Sequence, residues 1–251
     1  MCLPPPLDPR SALFIDVDGT LLEIAPTPEL VHVPPGVPAL LARLAEQRGG
    51  ALALVSGRKI DEIDRLFRPW RGPAAGVHGA ECRGIDGRVA ASGDGPADQA
   101  AAAALDRLRP ALRQLARRLP GVALEDKGKT VAVHYRQAPE KADEIRSEIE
   151  PLLRDEADRL RLIAGKMVFE LQPRHHGKDG AIAAFMAEPP FQGRIPVFLG
   201  DDTTDEDGFA EVNRRGGVSI RAGAPSAATA AAYSLPSVSA VLDWLAGNSR
   251  V

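Results

Sequence analysis

Residues 12–20 read ALFIDVDGT. The run ALFI is short, apolar and bounded by polar residues, so it reads as a buried strand ending at Asp16. Asp16 and Asp18 stand at its C-terminal end, and Gly19 follows them. The next segments set this strand in a repeating pattern. Residues 37–47 carry Val37, Leu40, Leu41 and Leu44 at helical spacing, and Gly49 and Gly50 stop that helix. Residues 51–55 (ALALV) predict a second buried strand. Residues 59–67 return to helical spacing through Ile60, Ile63, Leu66 and Phe67, and residues 74–77 predict a third short strand. Strands alternating with helices predict a parallel sheet with crossover helices.

The pattern breaks near residues 91–96 (ASGDGP) and resumes after Pro173. Residues 97–119 predict a helix with Leu105, Leu108, Leu112, Leu115 and Leu119 on one stripe. Residues 122–125 and 130–135 predict two strands about a turn at 127–129. Residues 139–158 predict a charged helix, kinked at Pro151. Residues 160–163 and 167–171 predict two more strands about Gly165. Beyond Pro173, helices at 178–186, 204–213 and 238–245 alternate with strands at 195–199 and 217–220. The predicted fold is α/β: a parallel-sheet core from residues 1–92 and 174–251, interrupted by an α+β module over 93–173. The hinges are expected at 92–95 and 173–177.

Composition narrows the function classes. The chain has 31 Lys and Arg against 34 Asp and Glu, a net charge of −3 with His neutral. This balance gives no general attraction to nucleic acid or to an anionic membrane. No apolar run approaches the roughly 18 residues a membrane span needs. Cys2 and Cys82 make neither a disulfide framework nor a zinc site. The proline-rich start, MCLPPPLDPR, does not read as a signal peptide. A monomer in a reducing cytoplasm with a small-molecule partner is the expectation.

A second acidic string, GDDTTDED at residues 200–207, follows another apolar run and opens a helix. Each acidic string alone has an ordinary explanation. Asp16 and Asp18 can shape a turn, and acids at a helix N-terminus gain from its dipole. Together they end two strands of one parallel sheet, at the edge where ligands bind. Carboxylates crowded there need a cation, and hard oxygen ligands with room for water favour Mg²⁺. Asp16 can then attack phosphorus, while Asp18 donates and later accepts a proton. Gly19 leaves room for a phosphoryl group. Ser56 and Gly57, after the second strand, can hold phosphate oxygens, and Lys178 can neutralise charge.

DVDGT, Ser56, Lys178 and GDD resemble the four ordered motifs of the haloacid-dehalogenase-like (HAD) phosphohydrolases. The strings ALFIDVDGTLLEIAPTP, VSGR, GVHGAE, KTVAVHYR, GKMVFELQP and GDDTTDEDGF resemble the trehalose-6-phosphate phosphatase family more closely still. The resemblance implies a Rossmannoid core with an inserted cap, and hydrolysis of a sugar phosphate through an aspartyl phosphate. It implies Asp16 as nucleophile and Asp18 as acid and base. Mg²⁺ would be held by Asp16, the main-chain carbonyl of Asp18, and Asp201, with Asp202 and Asp205 behind them or as alternate ligands. Ser56 and Lys178 would hold the phosphoryl group. The cap would recognise sugar through Glu125, Arg136, Lys166 and Glu170, with His134 a weaker candidate there and His78 and Glu81 weaker candidates on the core. Lys166 and Glu170 are spaced to share a strand face, with Met167 turned to the core. One departure is Asp179, where the family usually has glycine after the motif lysine. Another sugar-phosphate phosphatase, as for sucrose phosphate, or a phosphomutase fits the same motifs. A phospho-aspartate signalling module fits less well, because Asp18 would shorten the life of its phosphoryl group.

Overall fold

The computed structural model describes residues 3–27, 30–91, 96–174, 176–224 and 229–249. The expected hinge at 92–95 lies outside them, as does His175 of the other. In chain order the elements are β1 (Ser11–Ile15), α1 (Val37–Gln47), β2 (Leu52–Val55), α2 (Ile60–Leu66), β3 (Ala74–Gly76), β4 (Glu81–Arg83) and β5 (Val89–Ala91). Then come α3 (Pro96–Arg118), β6 (Ala123–Asp126), β7 (Val131–His134), α4 (Ala142–Leu153), β8 (Leu160–Gly165) and β9 (Val168–Pro173). The last are α5 (Lys178–Met186), β10 (Ile195–Gly200), α6 (Glu206–Arg214), β11 (Val218–Ala222), β12 (Tyr233–Leu235) and α7 (Val238–Gly247). Two compact units emerge, one of Met1–Ala90 with Gly177–Val251, the other of Ala91–His176.

In the first unit the sheet order is β12-β11-β10-β1-β2-β3-β4-β5. The pairs from β12 to β3 are all parallel, and β4 runs antiparallel to β3. β1 lies at the centre and is buried throughout. Its alternate residues serve two cores. Leu13 and Ile15 pack with Leu41 and Leu44 of α1, Ile63 of α2, and Val241 and Leu245 of α7. Ala12 and Phe14 face the other way, toward Ile182 and Phe185 of α5 and Phe209 of α6. Helices therefore cover both sheet faces, which is why these strands carry unbroken apolar runs.

Three strands escaped the sequence reading. All three have only three residues, and β4 (ECR) has no apolar run; each owes its conformation to the strand beside it. The helix expected over 139–158 is shorter. α4 ends at Leu153 and passes into a 3₁₀ turn at Arg154–Glu156, with Pro151 near its C-terminal end. Proline there lacks the N–H that would continue the ladder.

The second unit is a four-stranded antiparallel sheet, β6-β7-β9-β8. Val131, Val133, Phe169 and Leu171 on one face pack against Leu105, Leu112 and Leu115 of α3 and Ile145 and Ile149 of α4. The other face carries Glu125, Ala132 and Glu170 in one cross-strand row.

Candidate active site

Parallel register brings the candidate residues of the first unit to one level. Ile15 lies opposite Leu199 on one side and Leu54 on the other. The residues just beyond those three are Asp16, Gly200-Asp201 and Val55-Ser56. Asp16 stays on the ladder, its N–H donating to the Leu199 carbonyl at 2.9 Å. Lys178 enters from the first turn of α5. Its Nζ donates to Asp16 Oδ1 at 2.7 Å and to Asp205 Oδ1 at 2.5 Å. Asp16, Asp201 and Asp205 are all buried, and each has a carboxylate oxygen within 4.8 Å of the others.

Asp205 has a larger part here than its place behind the expected ligands suggested. Its Oδ2 accepts from the N–H groups of both Asp201 and Asp202 at 2.9 Å. One side chain thus ties the loop after β10 to Lys178. Gly200 makes this possible, because a Cβ there would lie 2.4 Å from Asp205 Cγ. Gly19 has φ +87°, and a Cβ there would lie 2.0 Å from Asp201 Oδ2.

Burial pushes the Asp16 carboxyl well above the usual carboxylate range; Lys178 opposes that rise, and Asp205 and Asp201 reinforce it. For Lys178, burial works against the charged form, but Asp16 and Asp205 outweigh it and push its pKa up. The ammonium is charged at any working pH.

Asp18 is only partly buried. Both of its oxygens accept from Arg58, from Nε and from Nη2, each at 2.7 Å. Arg58 was not singled out as a site residue, although it directly follows Ser56-Gly57. The Arg58 N–H donates to Ser56 Oγ at 3.2 Å, and the Ser56 side chain is buried. His78 and Glu81 brace this loop. The His78 N–H donates to the Ser56 carbonyl at 3.0 Å, and the Ile60 N–H donates to Glu81 Oε2 at 3.1 Å. His78 has φ +53°, and its ring fills the space over Gly57. Asp202 accepts from the Thr203 hydroxyl at 3.4 Å. Asp179 is exposed in the first turn of α5, where the helix dipole favours an acid.

The second unit gathers a separate polar set. His134 Nε2 and Glu125 Oε2 are 2.8 Å apart. Burial works to raise the Glu125 pKa, but the His134 hydrogen bond and the Lys127 charge outweigh it and lower it. Lys127 Nζ stands 3.5 Å from Glu170 Oε2 and 4.0 Å from Glu125 Oε2. Lys127 and Thr130 were missed as site residues: Lys127 lies in the stretch that sequence marks only as a turn, and Thr130 opens the expected strand 130–135 but stands just before β7. The expected shared face of Lys166 and Glu170 is corrected. Lys166 and Met167 form the turn between β8 and β9, with Met167 at φ +61° and 43% exposed rather than in the core. Arg136 lies just beyond the end of β7.

The trehalose-phosphatase family profile matches residues 14–239. The chain is 46% identical over 235 residues to a probable trehalose-phosphate phosphatase of Sinorhizobium fredii, spanning 94% of this chain and 86% of that protein. It is 45% identical over 241 residues to trehalose-6-phosphate phosphatase of Escherichia coli, spanning 96% and 87%. A solved structure of a trehalose-6-phosphate phosphatase related protein superposes with TM-score 0.75 at 26% identity, over 94% of this chain and 96% of that one. The fold is shared with a phosphatase of the HAD superfamily from Bacteroides thetaiotaomicron, at TM-score 0.62 and 18% identity, over 93% and 92%.

Proposed function

We propose, from the premise that the chain belongs to the trehalose-phosphatase family, that it converts trehalose 6-phosphate to trehalose and phosphate through an aspartyl phosphate on Asp16. The observation carrying this reading is the buried set of Asp16, Asp201 and Asp205 around the Lys178 ammonium. An oxygen of Asp16 attacks phosphorus as the bond from phosphorus to the sugar oxygen breaks. Asp18 gives that oxygen a proton, and the sugar leaves as an alcohol. Water then attacks the phosphorus of the aspartyl phosphate. Asp18 takes its proton, and phosphate departs with Asp16 restored. To act, Asp18 exchanges one Arg58 donor for the sugar oxygen or the water. Lys178 and the Ser56-Gly57 loop receive charge that builds on the phosphoryl oxygens.

The donor set suits a hard divalent cation. Three buried carboxylates face one lysine, an excess of negative charge that burial alone disfavours. Asp16, the main-chain carbonyl of Asp18, and Asp201 would hold Mg²⁺. Asp205, committed to Lys178 and two backbone N–H groups, would orient that loop from behind, beside Asp202. When bound, Mg²⁺ supplies positive charge that screens the carboxylates and polarises the phosphoryl group.

The unit of Ala91–His176 is read as the sugar-recognition module. Carboxylates accept from sugar hydroxyls, and Lys and Arg donate to them. Glu125, His134 and Glu170 on one face, with Arg136 and Lys166 nearby in sequence, make a suitable polyol surface. Glu170→Ala is expected to lower kcat/KM for trehalose 6-phosphate about 10²-fold, and far less for p-nitrophenyl phosphate. Equal losses would remove Glu170 from sugar recognition.

The direct test is phosphate release from trehalose 6-phosphate, sucrose 6-phosphate and glucose 6-phosphate, with and without EDTA. Trehalose 6-phosphate is expected to turn over fastest, to stop in EDTA, and to recover with added Mg²⁺. Equal rates on all three substrates would favour a general sugar-phosphate phosphatase, and isomerised phosphate would indicate a mutase. Gly19→Ala forces a side chain into Asp201 at positive φ. It is expected to cost roughly 1–3 kcal/mol of stability in urea unfolding and at least about tenfold in turnover.

A further inference from the structure

One hydrogen bond on the polar sheet face is used by none of the steps above. The Thr130 hydroxyl donates to Glu170 Oε1 at 2.6 Å. The direction is fixed by chemistry, since an ionised carboxylate has only acceptors. Thr130 is fully buried and Glu170 is 6% exposed, so this charge-assisted bond forms away from bulk water, where it is strong. The donor is also stiff. Threonine is β-branched and has few χ1 choices. It stands immediately before β7, and the Lys127 N–H donates to its carbonyl at 3.0 Å. The same turn therefore sets two groups on one carboxylate, Thr130 on Oε1 and Lys127 nearest Oε2.

We propose that Thr130 is a positioning residue for sugar specificity: its hydroxyl holds the Glu170 carboxylate in the orientation that accepts from hydroxyls of the substrate's polyol end. This rests on the function proposed above. A sugar hydroxyl is recognised by a carboxylate already aimed at it, because ordering a loose side chain on binding costs affinity. Valine has nearly the shape of threonine but no donor, and serine keeps the donor.

The test compares wild type, Thr130→Val and Thr130→Ser on trehalose 6-phosphate and p-nitrophenyl phosphate, with melting curves for each. In Thr130→Val the ratio of kcat/KM for the sugar phosphate over the aryl phosphate is expected to fall about tenfold, mostly through KM. Thr130→Ser is expected to restore most of that ratio. An equal fall on both substrates overturns the assignment, since it marks a merely structural role. Should Thr130→Val fail to fold, Thr130→Cys, similar in size and a weak donor, is read by the same ratio. A wild-type enzyme with no preference for the sugar phosphate overturns the functional reading and this assignment with it. A wild type that prefers the sugar phosphate, with the preference kept in Thr130→Val, overturns the assignment alone.

Discussion

Asp16→Asn is expected to abolish phosphate release from trehalose 6-phosphate, a fall in kcat of at least about 10⁴-fold, because an amide oxygen does not replace a carboxylate nucleophile. Substrate binding should survive better than turnover, since Lys178 and Ser56 remain. The same substitution carries a stability signature of opposite sign. Burial holds the Asp16 carboxyl well above its ordinary pKa. The native state therefore keeps a proton that the unfolded chain gives up from about pH 4. A raised carboxyl contributes stability that is full below the unfolded pKa and is lost as pH rises through the folded one. In EDTA the wild type should lose stability over that interval, and Asp16→Asn should lose less. The gap between their melting temperatures should widen with pH in the mutant's favour. Added Mg²⁺ should narrow it by stabilising the wild type, because a cation that binds only the folded chain opposes unfolding. Turnover retained in Asp16→Asn would overturn the nucleophile assignment. A gap that does not change with pH would overturn the electrostatic account of the site.

Lys178→Met should be the most destabilising of the substitutions considered. Lys178 is 2% exposed and touches two carboxylates that are themselves buried. Methionine fills much of the space but leaves Asp16 and Asp205 facing each other without a cation. Breaking a buried ion pair from one side costs about 3–5 kcal/mol, to be read as a lower urea midpoint with an unchanged slope. Activity should fall by about 10²–10³-fold as well, because the phosphoryl group loses its fixed positive charge. Lys178→Arg should rescue neither quantity. The planar fork is wider than an ammonium, and there is little space beside Asp205 Oδ1. A Lys178→Met protein as stable as wild type would mean that the acids are screened by something other than this lysine.

The residues proposed to carry the chemistry of the first unit stand out in the sequence because they sit in short contiguous strings at strand ends. DVDGT places two acids and GDDTTDED five within a short stretch of chain, and apolar runs mark the strands that precede them. Arg58 was in view, next to Ser56, yet nothing local ties it to Asp18, 40 residues away. The partner of Asp205 stayed out of view for the same reason. Its contact with Lys178 spans 27 residues and depends on two helix N-termini meeting. In the second unit, alternation along a strand gave the right face for Glu170 but the wrong place for Lys166 and Met167. A two-residue turn leaves no apolar or polar rhythm to detect.

The amino-acid order alone was enough for the alternation of strand and helix, the interruption by an α+β module, and the acids and lysine proposed to carry the chemistry. These follow from local rules: apolar periodicity, turn residues, and acids placed just after buried runs. The partnerships came only with the folded chain. Arg58 on Asp18, Asp205 on Lys178, and Thr130 and Lys127 on Glu170 each join residues brought together by sheet register or by a hairpin turn. Register is set by pairing between distant strands, so a sequence read along its length shows which groups are present without showing which of them touch.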